Sequence, residues 1–344
     1  HARGHPADEL LPWAQSALAY SAQIYAAPPY SALRRSCYSY VFTQASGSKS
    51  RQSLWQETAP QNRPMPRTLQ TLLLAVQFFT RLPLPAPLAR RVNFSPELMQ
   101  RAMACMPAAG WVTGAAAALV FNTALALWAT PATAGAAAPL LMLLAAALST
   151  AAGLLLTGGL HEDGLADVAD ALGGQSSPER ALQIMKDSQV GGYAVLALCM
   201  ALLLKVCLIA LLGMVLPVPL LGWLLVAAHV LSRFFPLLLS YKLPHVALAG
   251  LSKTRQMAGT IKAMPLWPGA LCCLPLLGFY GLPSGAWLLS LAGAGGAACI
   301  VASVCMGLWF KRRIGGFTGD CLGATQQVCE LAFYLAALTA AARA

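Results

Sequence analysis

Four carboxylates crowd into a short stretch of a chain that is otherwise poor in acid: Glu162, Asp163, Asp167 and Asp170. They lie in the run His161-Glu162-Asp163-Gly164-Leu165-Ala166-Asp167-Val168-Ala169-Asp170. If this run is helical, Asp163, Asp167 and Asp170 stand at i, i+4 and i+7, within about 60° of one another. Three carboxylates on one face repel unless a cation or protons neutralise them. Ligation by oxygen alone favours Mg²⁺ or Mn²⁺ over zinc. The plain alternative is a solvated helix end, but a solvated acidic face usually mixes in Lys or Arg, and none occurs here before Arg180. Glu162 lies about 100° away, off that face, and His161 falls roughly opposite Asp167. His161 suits either a hydrogen bond that orients a carboxylate or a direct role as catalytic base.

Cations within apolar runs form a second group. Lys205 interrupts Leu202-Leu203-Leu204-Lys205-Val206-Cys207, and Arg233 sits in Leu231-Ser232-Arg233-Phe234-Phe235-Pro236. A charge inside a membrane costs several kcal/mol unless it is paired or faces a polar cavity. Both residues are therefore candidates either for balancing the carboxylates or for binding substrate phosphate, a task to which the Arg fork is suited. His229 reads as a satisfied interior residue. Two Gly-rich polar segments complete the set. Residues 184–193 carry Lys186, Asp187 and Ser188, and residues 315–324 carry Thr318 and Asp320. Each precedes an apolar run, where exposed backbone N–H groups favour anions.

The elements that must position these groups follow from composition. The chain has 344 residues, 58% hydrophobic and only 10% charged, against about 25% charged in soluble domains. A polytopic membrane protein is the class that remains. Apolar stretches at 103–128, 138–160, 191–213, 218–241, 264–281, 285–310 and 321–340 predict an all-α membrane helix bundle with about seven transmembrane helices. The fifth is interrupted by Pro265, Pro268 and Pro275. Leu69–Phe79 is too short to cross about 30 Å of hydrocarbon and predicts an interfacial or re-entrant helix. The formal charge is +11. The basic residues of the loops between the apolar stretches fall in four regions: 81–101 (Arg81, Arg90, Arg91, Arg101), 161–190, 242–263 (Lys242, Lys253, Arg255, Lys262) and 311–313. The loops 129–137, 214–217 and 282–284 are uncharged. Basic loops stay on the cytoplasmic side, so the acidic cluster is expected to face the cytoplasm and nucleic acid is not an expected partner. The ten cysteines show no metal-binding spacing and suit packing as small hydrophobes. Residues 1–64 are polar and lack a periodic apolar pattern, which suggests a disordered extension; residues 65–344 form the membrane domain, and Met65 could serve as a start.

Several segments together resemble the cobalamin synthase family, the adenosylcobinamide-GDP ribazoletransferases. They are Gln77–Pro85, Gly158–Asp170, Ile184–Tyr193, the Ser232-Arg233 pair and Lys311–Ala324. They occur in family order, and the acidic run combined with Gly315-Gly316-Phe317-Thr318-Gly319-Asp320 is highly specific. Three departures stand out. Glu162 replaces an apolar residue, Gly192 precedes Tyr193, and 245–262 follows the usual Gly-rich loop only loosely.

The resemblance implies a Mg²⁺-dependent, multi-pass enzyme of the bacterial inner membrane with its active site facing the cytoplasm. It would join adenosylcobinamide-GDP to α-ribazole or α-ribazole 5'-phosphate and release GMP, with a homo-oligomer among the possible assemblies. The expected assignment gives Asp163, Asp167 and Asp170 to the metal. His161, Asp187 and Asp320 are expected in catalysis, and Lys186, Arg233, Lys205 and Thr318 in substrate binding. Two other enzyme classes fit less well. A CDP-alcohol phosphotransferase signature would continue Asp-Gly-x-x-Ala-Arg, whereas Asp167 stands here without that Arg, and a membrane prenyltransferase would need an Asn-Asp-x-x-Asp run. A transporter would carry its charges near the midplane on inverted repeats, and no repeat is visible.

Overall fold

The computed structural model describes residues 65–343 apart from 90, 93–94, 134, 247–264 and 283. The expected extension 1–64 lies outside the described residues, as do Lys253, Arg255 and Lys262. Every regular element described is helical. A single isolated parallel bridge joins His245 to Phe317. The helices are α1 (Arg67–Phe79), α2 (Ala86–Ala89), α3 (Pro96–Ala104), α4 (Met106–Trp128), α5 (Ala138–Thr157), α6 (Leu160–Gly173), α7 (Pro178–Ile184), α8 (Gly192–Val215), α9 (Val218–Phe234), α10 (Leu237–Lys242), α11 (Trp267–Cys273), α12 (Gly285–Ile314) and α13 (Gly319–Ala341).

Among the described residues five helical stretches are long and apolar enough to cross a membrane: Met106–Trp128, Gly135–Thr157, Gly192–Val215, Val218–Lys242 and Gly285–Ile314. These match five of the seven expected spans. The other two differ for physical reasons. The Pro-interrupted stretch becomes α11 followed by the 3₁₀ helix Leu274–Gly281. Because a 3₁₀ helix rises about 2.0 Å per residue, this short piece still reaches about 27 Å. The last stretch is the full-length helix α13, but its first half carries Gln326, Gln327 and Glu330, all buried. α1 has 13 residues, about 20 Å, too short to span.

α9 is the hub. Of its apolar window 67% is buried, against 28% for α8, so α9 faces protein where α8 largely faces lipid. Small residues let its neighbours close in, as membrane helix packing requires. A Cβ on Gly110 would stand 2.5 Å from the His229 carbonyl oxygen, and one on Gly114 would stand 2.7 Å from Val226 Cα.

The acidic run, expected within a charged loop, is a helix of its own. Gly158 and Gly159 both adopt φ of 69°, a left-handed conformation that glycine takes without a steric penalty. The two glycines end α5 three residues before the expected limit and redirect the chain into α6. A Cβ on Gly158 would collide with the Arg81 guanidinium, and the Arg81 N–H donates to the Leu156 carbonyl at 2.7 Å. Further along, Ser177 caps α7 by accepting the Arg180 N–H.

α6 lies against the start of α13 at a glycine contact. A Cβ on Gly164 would stand 2.8 Å from the Asp320 carbonyl oxygen and 3.2 Å from Gly323 Cα. A Gly164→Val variant should therefore lose about 1–3 kcal/mol of stability, as overpacking does. The check is the thermal unfolding midpoint in detergent. Gly293→Val, at a position with nothing within 4 Å of the added carbon, should leave that midpoint near the wild-type value.

Candidate active site

α6 is fixed on several sides, which sets where its acids stand. Gly164 touches α13 at Asp320, His161 approaches Gly323, and Gln327 bonds Glu162. The two helices thus run alongside each other in opposite directions. At the far end Arg313 donates to the Leu172 carbonyl (2.9 Å) and the Gly174 carbonyl (2.6 Å), satisfying acceptors that a helix C-terminus leaves open. Asp163 and Asp167 lie about 100° and 60° round the helix from Gly164, both on the same side of the contact. Asp163 is exposed and Asp167 half-buried. Asp320, in the first turn of α13, stands beside this helix.

Asp170 does something different. Its Oδ2 accepts the Gly191 N–H at 2.6 Å and its Oδ1 accepts the Ala194 N–H at 2.8 Å. Both oxygens are engaged at the N-terminus of α8, where a carboxylate meets otherwise open donors and the favourable end of the helix dipole. A Cβ on Gly191 would stand 2.6 Å from the Asp170 carboxylate, so this close approach needs glycine.

The Gly-rich segments converge on the same end of the bundle. Thr318 caps α13 by accepting the Cys321 N–H at 3.3 Å. Its hydroxyl also lies 3.7 Å from Met185 Sδ, so the end of α7 and the start of α13 are neighbours. Lys186 and Asp187 follow, both exposed, and Asp187 Oδ1 accepts the Gln189 N–H at 3.1 Å. His245, outside the sequence-based set, is held there by bonds from the Val246 N–H to the Phe317 carbonyl and from the Phe317 N–H to the Pro244 carbonyl. Burial, and then the nearby Lys186 ammonium, lower the His245 pKa against the opposing pull of Asp320. Burial, and then the Arg233 charge, hold the His161 imidazole well below its usual range.

Lys205 and Arg233 sit away from this open face. Lys205 Nζ is 2.7 Å from Glu330 Oε1, with both side chains buried. Arg233, 2% exposed, donates from Nη1 to the His229 carbonyl at 2.9 Å, and Nη1 lies 3.1 Å from His229 Nδ1. A guanidinium can only donate, so Nδ1 is the accepting nitrogen. The ring proton then sits on Nε2, 3.5 Å from Glu330 Oε1. Gln326 Nε2 donates to Ser232 Oγ and Glu330 Oε2, and Tyr334 donates to Glu330 Oε1. Gln327 Nε2 donates to Gln326 Oε1 at 2.8 Å and to Glu162 Oε1 at 2.9 Å. A polar chain thus leads from the acidic helix to Glu330. Of the four residues expected to bind substrate, only Lys186 is exposed; Thr318, Arg233 and Lys205 are buried. Glu330, Gln326 and Gln327 escaped the sequence reading. The available signal was that two interior cations need a counter-charge, and Glu330 is the sole acid after Asp320.

Among the described residues no three His, Cys, Asp or Glu side chains are grouped to hold a metal by themselves. Mg²⁺, however, is ordinarily bound by one or two carboxylates together with waters and substrate phosphates. Asp163 and Asp167, one turn apart at an open face, supply that oxygen donor set, and they fit such an ion.

A helix bundle with several segments long and apolar enough to cross a membrane, and this charged face at one end, defines a polytopic membrane protein. The chain belongs to the cobalamin-5-phosphate synthase family, whose profile matches residues 71–338. Proteins named adenosylcobinamide-GDP ribazoletransferase from a Polaromonas species and from Albidiferax ferrireducens are both 46% identical to it. Each alignment covers 79% of this chain and 97% and 98%, respectively, of those proteins. A Vibrio cholerae protein of the same name is 37% identical over 78% of this chain and 92% of its own length. No solved structure matches.

The buried charges yield a stability test. Glu330→Gln leaves the Lys205 ammonium without its counter-ion and should cost about 3–5 kcal/mol. Adding Lys205→Met should restore most of that loss. Denaturant titration of the single and double variants in detergent checks both.

Proposed function

We propose that this enzyme closes the nucleotide loop of cobalamin. It transfers the cobinamide phosphate of adenosylcobinamide-GDP to a sugar hydroxyl of α-ribazole or its 5'-phosphate. A bond forms between the hydroxyl oxygen and the corrinoid-bearing phosphorus, the bond from that phosphorus to the GMP oxygen breaks, and the hydroxyl proton passes to a base. Family membership and the printed names of the relatives support this reading. The observation that carries it in this chain is the face on which Asp163 and Asp167 stand beside Asp320, next to the segment bearing Lys186.

Asp163 and Asp167 would hold Mg²⁺, which when bound neutralises diphosphate oxygens and the departing charge. Asp170 serves the same face indirectly, by fixing α8 against α6. Lys186, exposed and mobile on its four-carbon stem, meets the diphosphate as a point charge. Asp320 and Asp187 orient the sugar, a carboxylate of this face takes the hydroxyl proton, and His161, expected in catalysis, positions the acceptor. Arg81 and Arg91 in connections, Arg101 in the last turn of α3, and Lys311 and Arg312 in the last turn of α12 fall at the same end of the helices as the acidic face. That distribution supports a site facing the cytoplasm from the bacterial inner membrane.

Membranes bearing the protein, supplied with both substrates and Mg²⁺, should form corrinoid product and GMP in equal amounts. Asp163→Asn and Asp167→Asn should each lower turnover by at least about 100-fold, the upper end of what loss of a metal's outer partner costs, while leaving membrane insertion intact. Asp170→Ala should instead lose about 0.5–2 kcal/mol of stability, as a helix cap does, and keep the wild-type Mg²⁺ dependence. Near-normal turnover in both Asn variants would remove the metal assignment.

A further inference from the structure

Among the described residues six buried side-chain polar atoms have no hydrogen-bond partner, and three of them fall at one place: His161 Nε2, Glu162 Oε2 and Arg233 Nε. Leaving such a group buried and unmet costs free energy, typically about 1–3 kcal/mol, and more when it is charged. His161 and Arg233 are each 2% exposed. A chain of contacts brings them to one place: Gln327 bonds Glu162, the neighbour of His161, and also Gln326, which bonds Ser232, the residue before Arg233. Two of them are anchored by another atom of the same group. Glu162 Oε1 is held by Gln327 Nε2, and Arg233 Nη1 is held on His229. Each keeps its other polar atom spare.

The spare atoms specify their guest. Arg233 Nε–H can only donate, and an ionised Glu162 Oε2 can only accept. An anionic phosphate oxygen would satisfy the first and be repelled by the second, and an ammonium would do the reverse. A hydroxyl does both, accepting from Nε–H with its oxygen while giving its proton to Oε2. His161 Nε2 adds a third partner of either sense. We infer that His161, Glu162 and Arg233 form a seat for a sugar hydroxyl of the alcohol substrate, with Glu162 and Arg233 selecting for it. This rests on the function proposed above and assigns Arg233 to the acceptor sugar instead of the diphosphate. Because Arg233 draws on a lone pair of the seated oxygen, the seat suits a sugar hydroxyl other than the attacking one. The three atoms have almost no solvent contact, so the guest enters as the Glu162 carboxylate swings aside. Glu162 itself is only half-buried, which permits that rotation.

The test is equilibrium binding of α-ribazole and its monodeoxy analogues to the purified full-length protein in detergent, with KM values for both substrates measured alongside. Wild type should bind one monodeoxy analogue at least about tenfold more weakly than α-ribazole, the loss of one charge-assisted hydrogen bond. Glu162→Leu should bind α-ribazole at that weaker level and no longer distinguish the analogue. Its KM for adenosylcobinamide-GDP should stay within about twofold of wild type. Glu162→Gln, nearly the same size, puts a donor where the accepting oxygen was and should behave the same way, which covers the case in which the Leu variant fails to fold. Equal discrimination among the analogues in wild type and variants, or unchanged α-ribazole affinity, would overturn the seat and mean that the spare atoms serve only an internal water. A wild-type protein that binds no α-ribazole and releases no GMP would overturn the proposed function itself.

Discussion

The approach of α6 to α13 at Gly164 and Gly323 is the constraint on which the site depends. With Cβ atoms at that crossing the helices would have to separate, since the added carbon on Gly164 would stand 2.8 Å from backbone oxygen. Close contact brings Asp320 beside the acidic helix and brings Gln327 within 2.9 Å of Glu162. One packing decision therefore serves two chemistries. It sets the carboxylates at the open end, and it connects them to the polar interior beneath.

That interior is costly by construction. Lys205, Arg233, His229 and Glu330 are all buried, and every one would be penalised in hydrocarbon alone. The protein meets the cost with a shared carboxylate: Glu330 receives Lys205, Gln326 and Tyr334 and faces His229. Low dielectric strengthens each of these contacts and equally raises the penalty for leaving any group unmet. Three of the unmet atoms among the described residues, on His161, Glu162 and Arg233, lie on the side of the network nearest the acidic helix.

Much of this was legible in the sequence, in proportion to how local the signal was. Apolar length revealed five spans, and the spacing of Asp163 and Asp167 revealed their shared face. Asp170 has the same spacing, and its oxygens accept backbone N–H groups 21 and 24 residues on, partners that leave no mark in a sequence. Lys205 and Arg233 announced that something must neutralise them, but the choice of Glu330 depends on how α8, α9 and α13 meet, which hydropathy does not encode. Region 161–190 groups with the charged loops, its acid spacing reads as one helical face, and it folds into α6 and α7. The Gly158-Gly159 turn and the Ser177 cap were the local cues.

The polarity of α13 bears on how the molecule is assembled. A segment presenting Gln326, Gln327 and Glu330 to bare hydrocarbon would carry a prohibitive insertion penalty. The groups that relieve it belong to helices made earlier: Lys205 on α8, and Ser232 of α9 on Gln326. The partners that relieve the polar face of α13 thus all precede it in the chain, so that face is met by protein rather than by lipid.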